Sequence, residues 1–262
     1  MKLLTLNCHS WIEENQMEKI KILAKTIREK SYDVIALQEV NQSIDAESVD
    51  GLIKKDNFAL VLLEELQQLG VKNYQMIWDY SHIGYDIYEE GVALLTKHGI
   101  EEKHSFFVSD SEDTKNWKTR KIAGITIRSQ HELLSFYSCH LGWWEDEQEP
   151  FKAQLNRLIE IVGKDEKYFL MGDFNNAAHI RGEGYDFVLN KGLYDTHSLA
   201  QEKDDGITVT GKIAGWDDNK QDLRVDYIFS NVPVTVYKSS VIFNGKNQPV
   251  ISDHFGIELV LE

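Results

Sequence analysis

The stretch Leu170-Met171-Gly172-Asp173-Phe174-Asn175 decides how this chain is read. The apolar run Tyr168-Phe169-Leu170-Met171 reads as a buried strand, and the glycine after it lets the chain turn sharply. In an extended exit, Asp173 and Asn175 lie two apart and point the same way, while Phe174 points back into the core. A carboxylate and an amide are thus presented together at the C-terminal end of a strand. Taken alone, the same residues also read as a helix N-cap or a turn. The choice depends on whether other strands end the same way.

The totals bound the answer. A length of 262 residues with 42% hydrophobic content suits a globular chain with a real core. With 3 prolines and no Ser/Gly-rich stretch there is no linker, so residues 1–262 are expected to form a single domain. There is no internal repeat, and the first residues lack the apolar segment of a signal peptide. The 2 cysteines, Cys8 and Cys139, form no framework. They read as reduced thiols buried as small apolar side chains, and the expected location is cytoplasmic. A net charge of −15 argues against tight binding of nucleic acid. The densest basic stretch, Lys118-Thr119-Arg120-Lys121, is short. No hydrophobic segment suits a membrane.

Outward from the central strand, Lys2 to Asn7 reads as a first strand and Met17 to Ile27 as an amphipathic helix. Asp33 to Leu37 is a buried strand running into Gln38-Glu39. Asn41 to Asn57 reads as a polar loop, Phe58 to Leu69 as a helix stopped by Gly70, and Tyr74 to Tyr80 as a strand. Ser81 to Glu90, rich in Tyr and Gly, reads as an active-site loop before the strand Gly91 to Leu95. Ile122 to Ile127 and Leu133 to Cys139 read as a strand pair around Gln130-His131. A third helix spans Phe151 to Val162 and a short one Tyr185 to Leu189. Asp204 to Asp222 is a polar loop carrying Trp216, and three strands from Val225 onward close the chain. This order suits two packed sheets with helices outside.

Polar residues stand where the apolar runs stop: Asn7, Glu39, His140, Asp173 with Asn175, Asp226, and Asp253-His254. Each singly has an ordinary explanation as a cap, a turn or a solvated edge. Their recurrence in one chain favours a shared site.

The chain resembles the endonuclease/exonuclease/phosphatase superfamily. The resemblance is carried by Thr5-Leu6-Asn7, Ala36-Leu37-Gln38-Glu39, Glu90-Gly91-Val92-Ala93, Cys139-His140-Leu141, Gly172-Asp173-Phe174-Asn175, Arg224-Val225-Asp226-Tyr227-Ile228 and Ser252-Asp253-His254-Phe255. These segments occur in family order over nearly the whole chain. The resemblance implies an α/β fold, a four-layered αββα sandwich of the deoxyribonuclease type, with the site at one end of the sheets.

It also implies a metal-dependent phosphoester hydrolase. Glu39 would ligate Mg²⁺, with Mn²⁺ as substitute, beside Asn7 and Asp253. A carboxylate roughly 4 Å from a phosphate oxygen costs about 4 kcal/mol at an effective dielectric near 20, so several acids need a counter-ion. Arg120 would contact the phosphate. Asp173 would position or deprotonate the attacking water, and Asn175 would donate to the phosphoryl oxygen. Asp226 would orient His254, which would act as a cation or share the role of base. His140 would bind phosphate or protonate the leaving oxygen, with Glu90 orienting it and Tyr88 as a further phosphate contact. His9, His82 and His197 lie outside the motifs and read as ordinary loop histidines.

Loop aromatics near the expected site are Trp11, Tyr85, Tyr88, Trp117, Trp143, Trp144 and Trp216, with Trp143, Trp144 and Trp216 singled out for substrate binding. His9-Ser10-Trp11 and His140-Leu141-Gly142-Trp143-Trp144 are most similar to bacterial maltose 6′-phosphate phosphatase-like members. The implied reaction is hydrolysis of a phosphorylated sugar by in-line attack of water. Two alternatives stand beside it: a nuclease or other phosphodiesterase of the same fold, and a catalytically silent binding module.

Overall fold

The computed structural model describes residues 1–129, 132–163, 165–213, 215–216 and 219–262. Gln130-His131, expected at a hairpin tip, and parts of the loop between Asp204 and Asp222 lie outside the described residues. In chain order the elements are β1 (Lys2–Asn7), α1 (Gln16–Lys30), β2 (Val34–Ser43), β3 (Ser48–Asp50), β4 (Ile53–Lys54), α2 (Phe58–Gln68), β5 (Gln75–Gly84), β6 (Tyr88–Thr96), β7 (Ile100–Phe107), β8 (Lys121–Ser129), β9 (Glu132–His140), α3 (Phe151–Val162), β10 (Tyr168–Asp173), α4 (Gly184–Asn190), β11 (Tyr194–Asp195), α5 (Thr196–Leu199), β12 (Glu202–Lys203), β13 (Asp226–Ser230), β14 (Val236–Ile242) and β15 (Gly256–Leu261).

Among the described residues the strands form a seven-stranded sheet, β12-β14-β15-β1-β2-β6-β5, and a six-stranded sheet, β11-β13-β10-β9-β8-β7. Three apolar seams separate four layers. Leu3, Val34, Ala36 and Leu94 of the first sheet meet Ile125, Phe136, Phe169 and Met171 of the second, with Phe136 and Phe169 stacked at 5.2 Å. Helices α1 and α2 bury Ile20, Leu23, Phe58 and Leu62 on the outer face of the first sheet. Helices α3 and α4 bury Phe151, Leu155, Leu158 and Val188 on the outer face of the second. This is the αββα sandwich. Alternation explains the layering: Ile35 and Leu37 face the helices, Val34 and Ala36 the other sheet. Cys8 and Cys139 are free and buried, in separate outer seams.

Two expectations are corrected, and one strand lies where no element is expected. The polar segment Asn41 to Asn57 is not simply a loop: β2 runs to Ser43 and β3 pairs with β4. Asn41 and Gln42 are buried, their amide nitrogens donating to Ser10 O and Leu52 O, each at 2.8 Å. Polarity therefore did not mark exposure. Ser81 to Glu90 is mostly strand. β5 and β6 extend through it to a tight turn with positive φ at both Tyr85 (53°) and Asp86 (60°), the hairpin geometry that matches strand twist. The edge strand β7 carries Glu101, Glu102 and Lys103, charges that obscure a strand pattern while protecting an open edge.

Gly172 also differs from its expected role. It stays within β10, and a Cβ there would lie 1.9 Å from the Cys139 carbonyl oxygen of β9. Its φ is 145°, which adds strain for any side chain. Gly172→Ala should lower unfolding free energy by about 3 kcal/mol or more, read as an earlier urea midpoint. An unchanged midpoint would remove the close-approach explanation.

Candidate active site

Three neighbouring strands of the second sheet finish in register. Asp173 of β10 stands opposite His140 of β9 on one side and Asp226 of β13 on the other. Strands lie about 4.8 Å apart, so one imidazole and two carboxylates form a row roughly the size of a phosphoryl group and its ligands. Phe174 anchors the exit of β10, packing edge-on against Tyr227 and Phe229 at 5.7 and 5.0 Å.

The first sheet supplies Asn7 and Glu39. Two residues of β2, Gln38 and Glu39, oppose one of β6 between the Leu37–Ala93 and Val40–Gly91 pairs, forming a bulge. Glu39 takes a φ of 49° there. In regular alternation Glu39 would follow Leu37 toward the helices. The bulge re-aims it into the site and returns Val40 to the helix-facing seam. Asn7 Nδ2 then donates to Glu39 Oε1 at 2.9 Å and to Asp173 Oδ2 at 3.2 Å, joining the two sheets. His140 Nε2 lies 3.7 Å from Asp173 Oδ2 and 3.9 Å from Glu39 Oε1.

The loop before β15 brings the remaining members. Ser252 Oγ donates to Asn7 O at 2.7 Å. His254 Nδ1 sits 2.9 Å from Asp226 Oδ2, and its Nε2 faces Asp173 Oδ2 at 3.8 Å. Asp253 is partly exposed, 3.8 Å from His9 Nδ1. Asn175, with a φ of 49°, donates its backbone N–H to Asp173 Oδ1 at 2.8 Å.

Burial sets the charges. It pushes the Asp173 carboxyl up to about 7, opposed by His254 and reinforced by Asp226. Burial, then the charges of Glu90 and Asp253, raise Glu39 well above the carboxylate range. Burial opposes the charged form of His254, yet Asp226 and Asp173 prevail and hold it above the usual histidine range. Burial and the nearby Arg120 push His140 well below that range. The two imidazoles are therefore unequal: the charged form is favoured at His254 and disfavoured at His140.

Glu39, His140, Asp173, Asn175, Asp253 and His254 line a cavity of about 360 Å³ together with His9, His82, Tyr85, Glu90, Trp117, Arg120, Trp143 and Gly215; Asn7 and Asp226, which hold Glu39, Asp173 and His254, do not line it. Arg120, Asn175, Asp253 and Trp143 are thus brought to the cavity. Other expected residues are not. Tyr88 opens β6, paired with Ser43 and Gly84, and does not line the cavity; Tyr85 at the turn does. Trp144 packs on Phe151 and Phe187 beneath the outer helices. Trp216 lies behind the cavity wall, its Nε1 3.5 Å from Asn175 Oδ1. Trp11 is structural, donating to Asp56 O at 2.9 Å. One N–H of the Asn175 amide is already given to Leu141 O at 2.9 Å. The partner of Glu90 is His82, 3.3 Å away, rather than His140.

Two histidines read as ordinary loop residues line the cavity. His9 follows Asn7 by two residues, the spacing that pairs Asp173 with Asn175, so the same rule applied to β1 would have found it. His82 lies opposite Glu90 across β5 and β6, a pairing visible only once that hairpin is recognised. His197 lies away from the cavity, its Nδ1 3.1 Å from Ser239 Oγ.

Comparison with known proteins fits this geometry. The sequence pattern of the Endonuclease/Exonuclease/phosphatase family matches residues 13–254. The chain belongs to that family. An endonuclease/exonuclease/phosphatase family protein from Leptotrichia buccalis C-1013-b is 45% identical, covers 100% of this chain and 99% of its own, and superposes with a TM-score of 0.95. A mannosyl-6-phosphatase from Bacteroides thetaiotaomicron VPI-5482 shares the fold at 18% identity, with TM-score 0.67 and coverage of 100% and 99%. A 3′ phosphatase from Neisseria, bound to a product DNA hairpin, shares it at 16% identity, with TM-score 0.66 and the same coverage. No curated protein matches the chain. Family members thus include phosphatases and nucleases, all acting on phosphoester bonds.

Enzymes of this family generally depend on a divalent metal, and the donor set here fits one. Asp173 is buried and Glu39 partly so, both accept from the Asn7 amide, and Glu39 is raised partly by the repulsion of Glu90 and Asp253. A hard cation among these oxygens would relieve that repulsion. In this conformation Asn7 turns its amide nitrogen to the acids, so ligation by its oxygen requires the amide to flip.

The Asp173 shift has a testable sign. Between roughly pH 4 and about 7 the metal-free folded protein keeps a proton on Asp173 that the unfolded chain has released. Its contribution to stability is full below that window and falls as pH rises through it. In chelator, Asp173→Asn should flatten the loss of stability between about pH 5 and 7.5, measured by urea unfolding. Identical pH slopes in the two proteins would contradict the shift.

Proposed function

We propose that this protein is a Mg²⁺-dependent phosphomonoesterase acting on a phosphorylated sugar, with maltose 6′-phosphate as the narrowest form of the reading. The observation that carries it is the meeting of Glu39, Asp173 and His254 at a cavity, with Asn7 bridging the two acids and Asp226 paired to His254. The pairing of β1 with β15 supports reading residues 1–262 as one domain.

Glu39, Asp253 and Asn7 would hold the cation, with Mn²⁺ as substitute; it would neutralise the phosphate and polarise its oxygens. Asp173, with a pKa raised to about 7, is suited to take the proton of the attacking water near neutral pH. His254, kept cationic, faces the same point and stabilises phosphoryl charge. Arg120 adds a permanent positive charge. His140 is neutral beside Arg120, and an arriving phosphate dianion favours its protonation, which suits it to donate to the leaving oxygen. Attack is direct and in line, without a covalent enzyme intermediate.

The cavity favours a terminal phosphate on a small molecule. Among its described lining residues Arg120 is the one Lys or Arg, which offers little to the flanking groups of a nucleic-acid diester. Trp117, 52% exposed, packs edge-on to Trp143 at 6.1 Å, and Tyr85 stands at the rim. Such faces suit stacking on a sugar ring.

A phosphate-release screen over sugar phosphates, nucleotides, inositol phosphates and DNA tests the reading. Sugar phosphates should release phosphate with Mg²⁺ and none with chelator. Asp173→Ala should lower turnover by roughly 10²–10⁴-fold while the protein stays folded. Brisk cleavage of plasmid DNA with no phosphate from any sugar phosphate would assign the site to a diesterase instead.

A further inference from the structure

We infer that His82 is a positioning residue: its pair with Glu90 keeps the Arg120 guanidinium free for the phosphate of the substrate. This rests on the reading of the cavity as a phosphoester site.

Arg120 is 3% exposed, yet no carboxylate lies within ion-pair distance of it among the described residues. Its Nη1 donates to Trp117 O at 2.8 Å and Thr119 O at 3.2 Å, and its buried Nε has no partner. An unpaired buried guanidinium is costly and marks either a ligand site or a partner held elsewhere. The natural partner is close by. Glu90 lines the same cavity and is the acid with the strongest pull on Arg120.

Glu90 is engaged in another direction. Its Oε1 lies 3.3 Å from His82 Nε2 across the β5–β6 pair. Its Oε2 rests against Gly84, where a Cβ would approach within 2.9 Å. His82 is 4% exposed, and its Nδ1 lies 3.1 Å from Thr119 O, the carbonyl that also receives Arg120 Nη1. Each ring nitrogen faces an oxygen that only accepts, Thr119 O on one side and the Glu90 carboxylate on the other. His82 thus holds the acid away from the arginine and also fixes the carbonyl on which the arginine rests. Without it, Glu90 would be a buried carboxylate lacking its partner beside a guanidinium with free donors. Bidentate pairing between them would follow and would fill the anion site.

The test is calorimetric titration of the full chain with inorganic phosphate in Mg²⁺, with thermal melts of every variant. His82→Ala should weaken phosphate binding roughly tenfold, and adding Glu90→Gln should restore affinity to within about threefold of the parent. Structural damage alone would not be repaired by removing a second charge. If His82→Ala fails to fold, His82→Gln with and without Glu90→Gln carries the same comparison. Undiminished binding in the folded single variant, or a double variant no tighter than the single, overturns the inference. Arg120→Ala separates the two levels. Loss of phosphate there with no effect at His82 removes only the positioning role. Full affinity there removes the reading of the cavity as well.

Discussion

The Asn7 carboxamide ties Glu39 of one sheet to Asp173 of the other, at 2.9 and 3.2 Å. Everything at the site depends on that junction. The two acids are carried by strands whose distance is set by the seam between the sheets, where Phe136 and Phe169 stack. A regular β2 would send Glu39 to the helices; the bulge at Gln38-Glu39 turns it inward at the cost of a left-handed backbone at Glu39. Gln38, on the inter-sheet side with Val34 and Ala36, donates to Ser138 Oγ at 2.9 Å and ties the two layers together. Fold and site are thus joined through a few polar contacts in an otherwise apolar seam.

The electrostatics follow from the same junction. Burial disfavours the ionised forms of Glu39 and Asp173, and the charge of His254 offsets part of that. The remainder is an unfavourable charge arrangement that a divalent cation and a phosphate would complete. Sites of this kind sacrifice folded-state stability for readiness to bind. The cation-bearing wall is built on the same logic: Glu90, drawn down to about 2 against the opposing effect of burial by His82, is kept apart from Arg120.

Much of this was legible because strand ends are marked by abrupt changes from apolar to polar residues. Asn7, His140, Asp173, Asp226 and His254 sit where β1, β9, β10, β13 and the approach to β15 place them, and the main helices fall where their apolar spacing put them. What was hidden arises from pairing across the chain. The bulge that aims Glu39 is a property of two strands, and the His82–Glu90 contact is a register relation. Chain proximity misled in the other direction. Trp144 adjoins Trp143 in sequence but packs on Phe187, and Tyr88 lies two residues from Glu90 yet stays in the hairpin. The polar Asn41 and Gln42 concealed the end of β2 because they are buried and their amide nitrogens donate internally.

If Glu39, Asp253 and Asn7 hold a divalent ion as proposed, removing one acid weakens its binding. Titration of the metal-free protein with Mn²⁺, followed by the loss of its free-ion paramagnetic resonance signal, tests this without reference to any substrate. The parent should take up Mn²⁺, and Glu39→Gln, folded by its melt, should weaken that uptake by roughly 10-fold or more. Equal uptake by the two proteins would contradict the account.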